Sequence, residues 1–274
     1  SGSLKRGDIT LWSSPVDSQN LLDFSPETLT NRFFDFDETS NTYGIVADPE
    51  NTNFNVAQGY GIRARNTLLA DDPMENWLGT FTGVPNNGNY TIAITKNHAF
   101  ANYNLVGNPY PSALNLADFY TENSSIIQNK IYLYEHTLPA NASSGNPALT
   151  NYGIVTISTP NIYVPATDAP GRTPNTLDEN NPVLQPGQGF FVRATSAGTL
   201  NFKNTMRRSA QSNFFRINET QSNNFDLFRL KITNSEGFSN QTVVGFFEEG
   251  SNDLDAIDTK GFGTTPFYSI LGQD

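Results

Sequence analysis

The chain contains no cysteine among its 274 residues. Thiolate nucleophiles, iron–sulfur clusters and thiolate-ligated zinc sites are therefore excluded, because each needs a cysteine sulfur. Disulfide bonds are excluded for the same reason, so the fold has to be stabilised by the size of its hydrophobic core. No stretch of the sequence approaches the roughly 18 consecutive apolar residues of a membrane-spanning helix, and we expect no membrane insertion.

Basic residues are scarce as well. Only 16 Lys and Arg stand against 27 Asp and Glu, and the formal net charge is −11. Nucleic-acid binding needs a basic face that offsets the phosphate charge, and an anionic membrane surface needs the same. We therefore expect neither partner. The acidic balance fits a soluble, exported protein, or one whose carboxylates hold Ca²⁺.

The sequence has few groups that could carry out catalysis. The two histidines, His98 and His136, lie outside any metal-binding spacing, so nucleophilic triads and zinc sites are not supported. A pair of carboxylates can hydrolyse a glycosidic bond without histidine. Asp35 and Asp37 are close in sequence, but they alternate with phenylalanines, as on the solvent face of an ordinary strand. We predict that the protein is not an enzyme and has no catalytic residue.

Aromatic and turn-forming residues are abundant. The 20 Phe and 11 Tyr favour half-buried strands, and the 21 Gly and 16 Pro supply turns between them, so the sequence predicts an all-β protein. Short helices are predicted at Asp71–Trp77 and at Leu114–Tyr120, the second capped by Ser112. The predicted strands are Ile9–Ser13, Arg32–Phe36, Tyr43–Ala47, Gln58–Ala64, Thr80–Gly83, Tyr90–Thr95, Asn102–Gly107, Lys130–Tyr134, Tyr152–Ser158, Gly189–Ala194 and Thr199–Lys203.

The sequence also contains a degenerate internal repeat. A segment around Pro15 recurs around Pro109, and the phrase Ala57–Ala64 recurs as Gly187–Ala194. The offset is 94 residues at the prolines and 130 at the closing phrases, so the second copy carries 36 additional residues. A duplicated unit of about a hundred residues has the size of a domain rather than of a solenoid repeat.

We predict tandem, divergent β-sandwich units of jelly-roll type, followed by a partial third β segment. The first repeat is assigned to residues 1–100 and the second to residues 101–210, with a long loop insertion at residues 139–186. Residues 211–274 contain three further predicted strands, which are too few to close a sandwich. Ser1-Gly2-Ser3 resembles a cloning remnant, so we expect a piece of a longer protein. The third segment either packs onto the second repeat or belongs to a truncated domain, and we expect it to pack onto the second repeat with a continuation lost.

Aromatic side chains are the candidates for ligand binding, because flat rings stack on the faces of sugars. Trp12, Trp77 and Tyr110 are the first candidates, and each has the alternative of packing in a core or between domains. Further tyrosines with the same two alternatives are Tyr60, Tyr132 and Tyr134.

A calcium site is the candidate metal centre. The segment Ser251–Asp258 places Asp253, Asp255 and Asp258 on one predicted loop, and hard cations bind such side-chain oxygens. The segment lacks the spaced glycine and distal glutamate of an EF-hand, and a solvated acidic turn is the alternative. Asp35–Asn41 is a second candidate loop.

Several phrases together resemble a known group of proteins. They are Leu105–Ser112, Leu184–Val192, Gln241–Phe246, Asp253–Asp258 and Phe267–Ser269. In this order they resemble the region that precedes the sorting domain in large surface proteins of Bacteroidetes (flavobacteria and relatives) exported by the type IX secretion system. The resemblance runs from about residue 10 to the end, and the sorting domain itself is not part of it.

This resemblance implies an exported, adhesin-like protein, located extracellularly or at the outer-membrane surface, and it carries over no catalytic residue. We expect a non-catalytic adhesive or spacer module of a bacterial cell-surface protein. The alternative is a carbohydrate-binding accessory module of a secreted polysaccharide-degrading enzyme. Either function would make an extracellular polysaccharide or a surface glycan the partner.

Overall fold

A computed structural model describes residues 2–4, 7–66, 75–99, 101–135, 152–166, 177–209, 227–233 and 239–245. These residues form mostly antiparallel strands, and the all-β prediction is confirmed. The α-helices are α1 (Leu21–Phe24) and α2 (Leu116–Asn123), with 3₁₀ turns at Thr30–Arg32 and Asn204–Met206. The strands are β1 (Gly2–Leu4), β2 (Ile9–Trp12), β3 (Phe33–Asp37), β4 (Thr42–Ile45), β5 (Tyr60–Arg63), β6 (Glu75–Trp77), β7 (Tyr90–Ile94), β8 (Tyr103–Gly107), β9 (Ala113–Asn115), β10 (Ile127–Tyr134), β11 (Tyr152–Thr156), β12 (Ile162–Val164), β13 (Val183–Leu184), β14 (Gly189–Ala194), β15 (Gly198–Phe202), β16 (Arg207–Arg208), β17 (Leu227–Thr233) and β18 (Ser239–Gly245).

Two larger sheets carry the repeated segments. The first sheet has the strand order β2-β5-β3-β4, and the second has the order β8-β14-β10-β11-β12. In each sheet the first strand of the repeat (β2 or β8) pairs with the strand of the closing phrase (β5 or β14). That strand also pairs with the second strand of the repeat (β3 or β10). The two repeats therefore share their strand order. The smaller sheets are β1-β6, β13-β9-β16, β15-β7 and β17-β18.

The two larger sheets pack face to face. Their inner faces share one core, which includes Leu11 and Phe36 from the first sheet and Phe191 from the second. Each outer face has a core of its own. Residues of β10 alternate between the two faces, with Ile131 and Leu133 in the outer core and Tyr132 and Tyr134 in the inner one.

A short helix covers the outer face of each sheet. Asn20 caps α1 and Asn115 caps α2, each through a side-chain oxygen that accepts backbone N–H groups. The prediction that Ser112 caps α2 was wrong. Leu114 pairs with strands on both sides, so Ala113–Asn115 stays extended and α2 begins at Leu116, two residues later than predicted.

Other local predictions were also wrong. Glu75–Trp77 is a strand rather than part of a helix, because it pairs with Gly2–Leu4. Residues 80–83, which the structure describes, form no strand, and Thr82 N–H donates to the side chain of Gln19. Within the described part of the insertion, β12 and β13 add regular structure beyond β11, since they pair with β11 and β9 respectively. Strand β7 lies in the range assigned to the first repeat and pairs with β15 in the range assigned to the second.

Candidate functional site

An aromatic cluster lies on the outer face of the first sheet. Trp12 ends β2, Trp77 ends β6, and their rings meet edge to face with centroids 5.6 Å apart. Phe24 of α1 lies 5.0 Å from Trp12 and 5.4 Å from Trp77. Phe81 stacks on Phe24 at 4.4 Å. Four rings from four separate segments thus form one surface-proximal cluster.

The position of Phe24 follows from its local sequence. Asn20 holds the first turn of α1 by accepting from Leu22 N–H and Asp23 N–H. Gly79 then allows the rings to approach, since a β-carbon there would lie 2.8 Å from Phe24 Cζ and 2.9 Å from Trp77 Cζ3. The cluster therefore depends on a capped helix and on a residue without a side chain.

A shallow pocket of about 250 Å³ opens beside this cluster. Its lining includes Trp77 and Leu78, and Leu78 is 74 % exposed. The carboxylates of Asp23 and Glu27 also line it. The remaining lining residues are Phe24, Ser25, Pro26 and Thr80. The pocket thus combines apolar surface with groups that can hydrogen-bond a polar ligand.

The rim of the pocket combines both signs of charge. Glu27 forms an ion pair with Arg65, with 3.0 Å between Oε2 and Nη1. Arg63 and Arg65 line a second, smaller depression, to which Trp77 also contributes. Ser25 shares a hydrogen bond with Thr28, whose hydroxyl donates to the carbonyl of Arg63. Trp77 therefore lines both a pocket with carboxylates and a pocket with guanidinium groups.

In the second repeat, buried rings fill the corresponding place on the outer face of the sheet. Its equivalent of Phe24 is Phe119 on α2, which is fully buried, and Phe202 of β15 packs on it at 4.9 Å. In the first repeat, the segment that corresponds to β15 forms no strand and has Gly83 where β15 has Phe202. The shorter helix α1, with four residues against eight in α2, also covers less of its sheet. The first repeat thus keeps an opening that the second fills.

Tyr110 lies in the core and presents no ring face to solvent. It is 0 % exposed, its hydroxyl donates to the carbonyl of Gly88, and the Arg207 guanidinium carbon lies 5.2 Å from its ring centroid. Burial raises the pKa of Tyr110 to about 12. Three other candidate tyrosines are also buried, at 5 % exposure or less, and they are Tyr60, Tyr132 and Tyr134.

The acidic residues proposed for calcium lie outside the described residues, as does His136. Among the described residues, no three Asp, Glu, His or Cys side chains gather as a metal-binding group. Asp37 of the second candidate loop accepts hydrogen bonds from Thr39 N–H and the Ser40 hydroxyl, which lower the pKa of its carboxyl. His98 accepts from Ala101 N–H through Nδ1 and stabilises a turn.

Comparison with known proteins gives a family. A family model described as "Domain of unknown function (DUF8693)" matches residues 1–274. The chain belongs to the DUF8693 family. No curated protein and no solved structure matches this DUF8693 chain. In the described part of the chain, no helix is long and apolar enough to cross a membrane.

The sequence identified only part of the DUF8693 pocket. Trp12 and Trp77 were candidates and lie together, whereas Asp23, Glu27 and Leu78 were not singled out. These three residues come from two segments more than fifty positions apart in the sequence. Asp23 could have been located from the sequence through the helix cap at Asn20, because Asp23 lies in the first turn that Asn20 caps.

Proposed function

We propose that the chain is a non-catalytic adhesive module of an exported bacterial surface protein, and that it contacts an extracellular glycan at the pocket beside Trp77. The observation that carries this proposal is the combination of indole, exposed leucine and two carboxylates in one surface opening. A sugar ring has an apolar C–H face and a rim of hydroxyl groups. The former packs on an aromatic wall, and the latter hydrogen-bond to planar side chains.

The size of the pocket indicates how such a contact would work. At about 250 Å³, the opening is smaller than a typical site for a drug-sized ligand, which holds about 300–1,000 Å³. It accommodates a single ring or the end of a chain. Contacts of this kind are individually weak, and adhesive proteins gain strength by presenting many copies to a polymer.

The packing of the two larger sheets supports a spacer role beside the adhesive one. The two larger sheets share their inner core and are covered on their outer faces, so both repeats belong to one packed body. Such a body holds a binding surface away from the cell without itself being a catalyst. The resemblance to the region before the sorting domain of type IX-exported Bacteroidetes proteins supports a cell-surface or extracellular location.

The test is glycan binding by the whole chain. A glycan array and calorimetry with the best array ligand should show binding, and Trp77→Ala should weaken it about tenfold or more, because the stacking wall is lost. Asp23→Asn should weaken it less, since the amide keeps the shape and one acceptor. Val84→Ala is the matched control, because Val84 is 73 % exposed and is not among the residues that line the pocket. Failure of the intact chain to bind any glycan would contradict the proposal.

The same pocket also favours the second candidate, a carbohydrate-binding accessory module of a secreted polysaccharide-degrading enzyme. The ligand distinguishes the two functions. An accessory module would bind an insoluble polysaccharide and share a reading frame with a hydrolase domain. An adhesive module would bind surface glycans of cells. Protease shaving of intact native cells, followed by mass spectrometry, tests the surface location that the adhesive function requires.

A further inference from the structure

Two of the strand pairings that cross from one repeat to the other are copies of each other. Trp12 bridges to Gln188, and Gln58 bridges to Val106, both antiparallel. Trp12 and Val106 are equivalent at the offset of 94, and Gln58 and Gln188 are equivalent at the offset of 130. The first strand of each repeat therefore pairs with the closing phrase of the other repeat.

The hydrogen bonds beside these bridges show the same reciprocity. Ser13 N–H donates to the Gly187 carbonyl at 2.8 Å, and Gly107 N–H donates to the Ala57 carbonyl at 2.9 Å. The donors are equivalent residues of the two repeats, and so are the acceptors. Both acceptors also have left-handed backbones, with φ of 65° at Ala57 and 69° at Gly187. The local geometry is thus repeated as well as the contact.

Close approach across the junction is reciprocal too. A β-carbon on Gly59 would lie 2.7 Å from Leu105 Cγ, and one on Gly189 would lie 3.0 Å from Leu11 Cβ. Leu11 and Leu105 are equivalent residues, as are the two glycines. Each glycine therefore permits close approach of the backbone to the opposite repeat.

The inner core between the two larger sheets is also part of the interface between the repeats. Phe36 of the first sheet meets Phe191 of the second edge to face at 4.8 Å. The hydroxyls of Tyr43 and Tyr152 lie 3.2 Å apart and join β4 to β11 by a hydrogen bond. The buried contact therefore spans two sheets and includes polar pairing as well as aromatic packing.

An interface in which residue i contacts residue j, while the counterpart of j contacts the counterpart of i, is the isologous kind found in twofold-symmetric dimers. We infer that the two repeats are docked as the two protomers of a dimer, and that each repeat is the binding partner of the other. The interface holds them together, and the peptide link between β7 and β8 is not required for it. The duplicated unit thus recognises a second copy of its own kind.

The test cuts that link in the otherwise intact, folded chain. A specific protease site is inserted between Lys96 and Asn97, which are both exposed, and the purified protein is cleaved after folding. The two fragments should co-elute as one species of unchanged size with an unchanged circular dichroism spectrum. The melting temperature of the cut protein should rise with protein concentration, because its folding now includes an association step.

A variant in the interface sharpens this test. In the cut protein, Phe191→Ala should weaken fragment association about a hundredfold or more, since a large buried ring is lost. Phe191→Leu should have a smaller effect and serves if the alanine variant does not fold. Val84→Ala, an exposed position, should leave association unchanged. Two fragments that separate as folded monomers, or that unfold on cleavage, would overturn the inference. Equal association of wild-type and Phe191 variants would do so as well.

Discussion

Phe191 fills the space between the two sheets at the position where its counterpart in the first repeat, Gly61, has no side chain. A β-carbon on Gly61 would already lie 3.4 Å from Ile9 Cγ2 and 3.5 Å from Tyr43 Cε1. Phe191, by contrast, packs on Phe36 at 4.8 Å and on Tyr43 at 6.1 Å. Both positions therefore adjoin Tyr43, and only the second repeat places a large ring there. The duplicated copies have diverged at this position.

This relationship predicts a large effect of Phe191→Ala on the intact chain. Removal of the fully buried ring should lower the free energy of unfolding by about 3–5 kcal/mol, because the transfer energy is lost and a cavity remains. Urea denaturation followed by circular dichroism measures the change. Val84→Ala should remain within about 0.5 kcal/mol of wild type. A loss below 1 kcal/mol for Phe191→Ala would show that the inner core tolerates the cavity.

The buried tyrosine pair predicts a specific loss of stability in alkali. Burial raises the pKa values of Tyr43 and Tyr152 well above the ordinary value of 10.0. Below pH 10 both the folded and the unfolded states keep these protons, so the pair adds no pH dependence. Above pH 10 the unfolded state loses protons that the folded state retains, and stability falls as the pH rises.

Urea midpoints between pH 9 and pH 11 should therefore decrease, and tyrosinate absorbance of the folded protein should show fewer ionised tyrosines than the unfolded chain. Tyr43→Phe and Tyr152→Phe each remove one ionising group and should flatten this decrease, whatever they do to stability at neutral pH. An alkaline slope equal to that of wild type in both variants would contradict the assignment.

The contact between Trp12 and Trp77 predicts an optical signature of the pocket. These are the only two tryptophans in the chain, and their ring centroids are 5.6 Å apart at an interplanar angle of 70°. Indoles this close couple their transitions, so the circular dichroism spectrum should contain an exciton couplet. Trp12→Phe and Trp77→Phe should each abolish it. Gly79→Ala should reduce it, because the added methyl group displaces Trp77 and Phe24.

A glycan that occupies the pocket should change the same signal and the tryptophan fluorescence, and the change should saturate at the affinity measured by calorimetry. A couplet that persists in either single-tryptophan variant would show that it arises from tyrosines instead. A fluorescence titration without any change, in the presence of calorimetric binding, would place the ligand elsewhere on the chain.

Much of the fold could be predicted from the sequence, because the internal repeat and the alternation of side chains along a strand are local patterns. Tyr132 and Leu133 could be assigned to opposite faces of β10 from the period of two alone. The helix start at Leu116 could not be predicted, since the strand before it is held extended by the pairing of Leu114 with Leu184 and Arg207 from distant segments. Likewise, Glu75–Trp77 becomes a strand only because Gly2–Leu4 lies beside it.

The candidate site was predicted less completely for a related reason. Aromatic identity singled out Trp77 and Tyr110 equally, although one lines the pocket and the other is fully buried. Exposure is set by the sheets and helices that cover each ring, and no local pattern encodes this. Glu27 joins Trp77 at the pocket only through the path of the folded chain, so the carboxylate component could not be read from spacing.

The acidic segment Ser251–Asp258 predicts a calcium effect on stability. Asp253, Asp255 and Asp258 fall within six positions, and their charges repel unless a cation or solvent relieves them. A bound Ca²⁺ would stabilise the folded state by mass action, about 2.7 kcal/mol at a hundredfold excess over its Kd. The melting temperature should rise with calcium and fall back on addition of a chelator. Asp255→Ala should remove the response, whereas Asp17→Ala, at an exposed position in the first repeat, should keep it. Melting that is indifferent to calcium and chelator would identify the segment as a solvated acidic turn.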